Sequence, residues 1–303
     1  MKKIGIGTLN FTKKKYNYLF NNFKFINKKI FIDTSPNYGN FFAEKALGTI
    51  INKKNRHKYF IASKFGLEFD KKKKTFSKKA KLSEKYIISS LNKTLNSLKT
   101  NYLDLFQIHC FNEDIDLVVK TLINLKKEKK ILNIGCVNFN YEQIQKYEKK
   151  LNNHFFDYVQ IHYNFFERKA EKKIIPYCIK FNKKIIANRI FGSGIFIRRN
   201  SFEDKRFFYS KRLANKLKLM REKVEFFLKS LDQLNIDERH FLISWIKNLK
   251  YVNVLLFGVS KKNDMKFINN FYKTKLNHTK LTKIDKLMKK KFNLYNNPKS
   301  FHE

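Results

Sequence analysis

Asp33, Tyr38, Lys64 and His109 are an acid, a phenol, an amine and an imidazole, and each stands at or just past the end of an apolar run. Asp33 closes Ile30-Phe31-Ile32, and Tyr38 follows in the loop Thr34-Ser35-Pro36-Asn37-Tyr38-Gly39. Lys64 ends Tyr59-Phe60-Ile61-Ala62-Ser63, and His109 ends Leu103-Asp104-Leu105-Phe106-Gln107-Ile108. A free phenol titrates at about pH 10, too high to protonate a developing alkoxide well at neutral pH. An ammonium beside it stabilises the phenolate and lowers that value. A carboxylate beside the ammonium keeps it charged and fixed, and an imidazole orients or polarises a carbonyl. The four types together fit hydride delivery to a carbonyl, with Tyr38 giving the proton. No side chain supplies a hydride, so such a site needs a cofactor.

Taken singly, each residue has a plain explanation. An Asp at a strand end is often a turn or N-cap residue. Lys64 is one of many lysines and Tyr38 one of 15 tyrosines. A lone histidine is more often structural than catalytic. The set carries weight jointly, in a fold that gathers strand ends on one face.

The chain supplies such a fold. Apolar, β-like runs recur at 4–8, 30–34, 59–63, 103–108, 131–136, 157–161, 184–188 and 252–257. Several are nearly all apolar, as parallel strands buried on both faces are. Helical periodicities lie between them. Ile87, Ile88, Leu91, Leu95 and Leu98 follow Ser83, a candidate N-cap, and Phe241, Leu242, Trp245, Ile246 and Leu249 follow Asp237. Eight strands alternating with helices predict an α/β fold of the (β/α)8 TIM-barrel type, with a doubly wound open sheet as the rival. Loops at 65–82 and 190–210 leave the C-terminal ends of strands, where barrels of this kind build substrate sites. The second opens an insert, 190–236, whose helix is marked by Leu213, Leu217, Met220, Val224, Phe227 and Leu231. With a tail at 271–303 and no Pro/Gly linker, the chain reads as a single domain over 1–303.

Composition narrows the partners. The sequence has 303 residues, 43% of them hydrophobic, enough for a sizeable core. No apolar run reaches bilayer length and the start shows no long apolar leader, so the expectation is a cytoplasmic protein without a membrane partner. Cys110, Cys136 and Cys178 are widely spaced and fit reduced thiols, with no metal site. Lys and Arg number 66 against 25 acids, a formal charge of +41. The excess is mostly Lys, spread along the chain beside abundant Asn, Ile and Phe. It reads as codon bias on solvated faces, and no specific nucleic-acid partner is expected. Gly5-Ile6-Gly7 begins like a dinucleotide fingerprint, but Asn10 stands where the third glycine belongs, which removes the Rossmann reading.

The sequence resembles the aldo-keto reductases. The match runs through Ile32-Asp33-Thr34-Ser35-Pro36-Asn37-Tyr38-Gly39 with Glu44 and Leu47-Gly48, then Ala62-Ser63-Lys64, Ser90-Leu91 to Leu98, and Asp104-Leu105-Phe106-Gln107-Ile108-His109. It continues in Ile134-Gly135-Cys136-Val137-Asn138-Phe139, Val159-Gln160 with Tyr163-Asn164, and Leu256-Phe257-Gly258-Val259-Ser260. The ordered set spans about residues 4 to 270. The resemblance implies a (β/α)8 barrel, a nicotinamide cofactor bound without a Rossmann domain, and a tetrad of Asp33, Tyr38, Lys64 and His109. It implies that Asn138 and Gln160 hold the nicotinamide carboxamide. The 258–264 segment, with Gly258, Ser260, Lys261, Lys262 and Asp264, would cradle the adenosine end. Arg189 is a candidate cofactor neighbour.

This chain departs from the family pattern in places. Val137 stands where a serine is usual, which removes one hydrogen bond to the carboxamide. Asp264 stands where many NADP-dependent members are basic and would repel a 2′-phosphate, while Lys261 and Lys262 offset it. The cofactor is thus NADP or NAD, leaning to NADP. The implied reaction is reduction of an aldehyde or ketone, sugar-type compounds included, to the alcohol. Arg198, Arg199, Arg206 and Arg212 raise the narrower reading of an anionic small-molecule substrate. His162, on the strand face of Gln160, reads as packing. The alternatives are a cofactor-binding sensor or partner subunit with little turnover, and a basic nucleic-acid binder.

Overall fold

The computed structural model of the chain describes residues 3–9, 29–67, 69–70, 75–76, 82–192, 196, 211–258 and 276–294. Eight strands form a closed, parallel barrel: β1 (Lys3–Gly7), β2 (Ile30–Asp33), β3 (Tyr59–Phe65), β4 (Leu105–Ile108), β5 (Ile134–Val137), β6 (Tyr158–His162), β7 (Lys184–Asn188) and β8 (Val252–Gly258). Each strand pairs with its sequence neighbours and β8 closes on β1. The fold is the expected (β/α)8 barrel. A short antiparallel ribbon, Phe69–Asp70 with Thr75–Phe76, stands in the loop after β3.

Two of the eight runs begin later than their apolar pattern. Leu103 and Ile131 form only an isolated bridge, and the strands proper start at Leu105 and Ile134. Asp104 explains the first delay. Its Oδ2 accepts from Arg56 Nη2 at 2.6 Å and from the backbone N of Ile61 at 2.9 Å, so its side chain replaces the usual ladder contact.

Helices cover the barrel. α1 (Phe42–Gly48), α2 (Glu84–Leu98), α3 (Ile115–Lys127), α4 (Tyr141–Glu148), α5 (Ile174–Lys180), α6 (Lys211–Asp232), α7 (Glu238–Asn248) and α8 (His278–Lys291) are the α-helices among the described residues. Ser83 caps α2, accepting from the backbone N of Tyr86, and Asp237 caps α7 through His240 N, as the sequence predicts. Asn140 and Gln143 form a full capping box on α4. α2 turns Ile87, Leu91, Leu95 and Leu98 to the barrel, the helical spacing read from sequence.

Inside the barrel, side chains alternate in and out along each strand. With the about eight-residue shear of such barrels, alternate strands supply four inward residues to each layer. The strand registers give the layers from the bottom upward. Phe31, Leu105, Tyr158 and Val254 make a bulky floor, with Phe31 stacked on Phe60 at 4.9 Å. Gly5, Ala62, Gly135 and Ile186 come next. A Cβ on Gly5 would lie 2.5 Å from Leu256 Cδ2 above it and 3.0 Å from Phe31 Cδ1 in the floor, so the bulky residues of the layers on either side require a small residue here. Asp33, Gln107, Gln160 and Leu256 follow, then Gly7, Lys64, Val137 and Asn188. Ser35, His109, His162 and Gly258 form the mouth. The interior therefore changes from aromatic to polar toward the C-terminal strand ends.

Candidate active site

The strand ends bring Asp33, Tyr38, Lys64 and His109 to one face. Lys64 is fully buried and is the hub. Its Nζ donates to Asp33 Oδ2 at 2.7 Å, to the carbonyl of Thr34 at 2.9 Å and to Tyr38 Oη at 3.3 Å. The second Asp33 oxygen accepts from Gln107 Nε2 at 3.4 Å. The backbone carbonyl of Asp33 takes bonds from both N and Oγ1 of Thr8, at 3.0 and 3.1 Å. The acid is thus fixed from three strands.

Tyr38 sits on a turn with an unusual backbone. Tyr38 N bonds to Ser35 O at 2.9 Å, and the next three residues, Gly39, Asn40 and Phe41, all have positive φ, at 67°, 50° and 66°. Positive φ is uncommon outside glycine and costs on the order of 1–3 kcal/mol at a bulky residue such as Phe41. The turn is held by Phe41 N to Pro36 O at 2.8 Å and Ala43 N to Tyr38 O at 3.1 Å. Two other candidate residues, Asn138 and Arg189, also lie in the left-handed region, at φ 58° and 55°. Each directly follows a strand, and backbone strain of this kind gathers at functional sites.

The electrostatics follow from burial. Burial lowers the Lys64 pKa, but Asp33 and Tyr38 together outweigh it and the net shift is upward, so the ammonium is secure. For Tyr38 the order differs from the sequence expectation. Lys64 and Arg189 do pull its pKa down, but burial is the larger effect and leaves it raised. His109 is pushed down to about 3, by burial first and Lys64 second, so it is a neutral imidazole. Its backbone N donates to Phe65 O at 2.8 Å, which fixes the residue beside β3.

Glu44 is a buried acid behind this wall. Ser63 Oγ donates to its Oε1 at 2.6 Å, and Thr94 Oγ1 lies 3.3 and 3.2 Å from its two oxygens. Burial raises its pKa from 4.5 to about 7, against those hydrogen bonds and Lys64. The sequence shows Glu44 as part of a motif but gives no sign of this environment.

The predicted cofactor residues divide. Asn138 directly follows β5, and its N donates to Gln160 O at 2.8 Å. Gln160 is buried, and its Oε1 meets no hydrogen-bond partner among the described residues. A buried carbonyl of that kind is costly unless something donates to it, which suits a ligand amide. Val137 shares a layer with Lys64 and brings no hydroxyl. Arg189 is largely buried, and burial lowers its pKa to about 10. Gly258 ends β8, and a Cβ there would meet nothing within 4 Å among the described residues. Ser260, Lys261, Lys262 and Asp264 lie outside the described residues, as do Arg198, Arg199 and Arg206. His162 does more than pack: its Nδ1 lies 2.5 Å from Asn188 Oδ1, and burial lowers its pKa to about 4. Cys136 and Cys178 are buried free thiols, and Cys110 is partly buried.

Beside the mouth, a cavity of about 420 Å³ opens between the loops after β5 and β6, with Asn138, Phe139, Ile161, His162 and Ala170 among its walls. No helix among the described residues is long and apolar enough to cross a membrane, and no cluster of potential metal ligands occurs among them.

Comparison with known proteins gives the family and supports the fold. The model of the Aldo/keto reductase family matches residues 3–289. Aldo-keto reductase YhdN of Bacillus subtilis is 30% identical over 165 residues, which cover 54% of this chain and 47% of that protein. The NADH-specific methylglyoxal reductase of Escherichia coli is 28% identical over 158 residues, 48% of each chain. The aligned stretch thus spans about half the length of these curated relatives. An aldo-keto reductase from Bacillus halodurans, solved in its holo form, superposes with a TM-score of 0.74 at 21% identity, covering 94% of this chain and 91% of its own.

Proposed function

Since the chain belongs to the Aldo/keto reductase family, we propose that it reduces a small aldehyde or ketone to the alcohol with NADPH or NADH, and that Tyr38 donates the proton. The observation that carries this reading is the buried chain Asp33–Lys64–Tyr38, with contacts of 2.7 and 3.3 Å.

The cofactor, when bound, supplies the hydride, and the rest of the chemistry falls to side chains. Tyr38 gives its hydroxyl proton to the carbonyl oxygen as that oxygen becomes an alkoxide. Lys64 donates to the phenol oxygen and stabilises the phenolate left behind. Asp33 holds Lys64 in place and charged. His109, being neutral, offers one N–H to the carbonyl oxygen and orients it. Arg189 adds a second cation whose charge favours phenolate. Hydride and proton together complete the alcohol, and the reverse direction returns the proton to Tyr38.

Gln160 and Asn138 are the residues we assign to the nicotinamide carboxamide. The unpartnered Gln160 Oε1 fits its amide hydrogens. The 258–264 segment is assigned to the adenosine end, with Lys261 and Lys262 favouring NADP and Asp264 opposing it. The Escherichia coli relative, named as NADH-specific, supports testing both. Val137, in place of a serine, favours one second reading, a cofactor-binding sensor with little turnover.

Nicotinamide fluorescence titration with NADPH and NADH, followed by a carbonyl panel that includes methylglyoxal, tests the proposal. Saturable binding of either cofactor with turnover of a panel member is expected. Binding without turnover favours the sensor, and no binding of either overturns the reading.

A further inference from the structure

We propose that Gln107 is a positioning residue for the proton-transfer chain: its amide holds the Asp33 carboxylate so that Oδ2 faces Lys64. The inference rests on the reductase reading above and extends it by one residue and one layer of the barrel.

Gln107 is fully buried on β4, two residues before His109 on the same inward row. It shares the layer of Asp33, Gln160 and Leu256, directly beneath Lys64 and the mouth. The carboxylate of Asp33 has two oxygens and two side-chain donors. Lys64 Nζ takes Oδ2 at 2.7 Å, and Gln107 Nε2 takes Oδ1 at 3.4 Å. Without the second donor, Lys64 alone sets the rotation of the carboxylate about its Cβ–Cγ bond, and the ammonium keeps only Thr34 O as an independently fixed acceptor, which loosens its direction toward Tyr38.

The other end of the amide makes the case sharper. Gln107 Oε1 is buried and has no hydrogen-bond partner among the described residues. A buried unpaired carbonyl is destabilising, and an apolar side chain of similar shape, such as leucine, avoids that cost. Flipping the amide does not help, because it sets oxygen against the Asp33 carboxylate. Gln107 is therefore a poor choice for packing and a fitting one for holding Asp33. The space around it is tight: a Cβ on the neighbouring Gly135 would lie 2.9 Å from Tyr158 O, 3.1 Å from Leu105 Cδ1 and 3.2 Å from Gln107 Cγ, so the glycine on β5 spares this side chain along with its neighbours.

The test compares wild type with Gln107→Leu and Gln107→Glu. For Gln107→Leu the proposal expects a melting temperature near that of wild type, because relief of the unpaired Oε1 offsets the loss of a donor to Asp33 Oδ1, with unchanged cofactor affinity by fluorescence and carbonyl KM within about twofold. It expects kcat to fall on the order of tenfold to a hundredfold, as misplacement of a reacting group does. Gln107→Glu supplies the conservative rescue. When protonated, its O–H donates to Asp33 Oδ1 and restores the contact. When ionised, it repels Asp33 and leaves the contact broken. Its kcat should approach wild type at acidic pH and fall as pH rises, at a lower pH than the alkaline fall that loss of the Tyr38 proton gives wild type.

A Gln107→Leu enzyme with wild-type kcat, or a Gln107→Glu pH profile identical to wild type, overturns the proposal. If Gln107→Leu melts well below wild type and has lost cofactor binding, Gln107 is a packing residue and the proposal is also overturned. A wild-type protein that binds cofactor but reduces no carbonyl brings down the reductase reading, and this inference with it. The wild-type arm therefore separates the two failures.

Discussion

Lys64 Nζ and Asp33 Oδ2 meet at 2.7 Å with both side chains almost wholly buried, one on β3 and the other on the adjacent β2. Breaking one partner of such a pair leaves an uncompensated buried charge and costs about 3–5 kcal/mol. Lys64→Met should therefore lower unfolding free energy by about that much, and adding Asp33→Asn should restore part of it. The pair also sets an alkaline limit. The folded pKa of Lys64 is raised above 10.5, so its contribution is complete below that pH and is lost as pH rises through the folded value. Denaturant melts from pH 8 to 11.5 check both points. A double variant no more stable than Lys64→Met contradicts the first.

Glu44 should make the fold prefer mildly acidic conditions. Its pKa is raised from 4.5 to about 7 by burial, so its contribution is complete below pH 4.5 and is lost as pH rises through about 7. Between those limits the change is on the order of 3 kcal/mol. Glu44→Gln keeps an acceptor for Ser63 and removes the charge. Its melting temperature should vary less between pH 4.5 and 8 than that of wild type. Parallel curves would remove Glu44 as the source.

His109 and His162 should resist protonation. Burial lowers their pKa values to about 3 and about 4, with Lys64 and Arg189 respectively adding to the effect. Stability from a depressed imidazole is complete above the unfolded pKa of 6.5 and is lost as pH falls through the folded value. Ring-carbon NMR signals, assigned with His109→Gln and His162→Gln, should hold steady from pH 8 to 5. A midpoint near 6.5 for either ring contradicts the assignment.

Arg168 should anchor the last helix. Its guanidinium lies 4.7 Å from the Phe165 ring and 4.6 Å from the Trp245 ring, and it donates to Asp285 of α8 and to Phe165 O. Lysine cannot reproduce that planar, stacked arrangement. Arg168→Lys should cost about 2 kcal/mol and speed limited proteolysis near α8. Unchanged stability and an unchanged cleavage rate would show that the helix is held elsewhere.

The barrel was legible in the sequence because parallel strands buried on both faces leave nearly unbroken apolar runs. That signal marked all eight strands, and it misplaced two starts where Asp104 and the Leu103–Ile131 bridge interrupt the ladder. Asp33, Lys64 and His109 were legible because polar groups that close apolar runs stand out. Gln107 was not, since its meaning depends on the layer that strand stagger gives it. The burial of Glu44 and the net direction of the Tyr38 shift were hidden for the same reason: both depend on what neighbouring elements cover. Left-handed backbone at Phe41, Asn138 and Arg189 leaves no reliable trace in residue type, because only asparagine favours it.

Transfer of the proton by Tyr38 is tested by Tyr38→Phe. The variant keeps the ring and its packing and removes only the hydroxyl that Lys64 contacts at 3.3 Å. Carbonyl reduction by wild type and variant should be followed through cofactor absorbance, with cofactor affinity measured on the same preparations. Equal cofactor affinity and a fall in kcat of about 10²-fold or more are expected. A variant that reduces the substrate at the wild-type rate contradicts it.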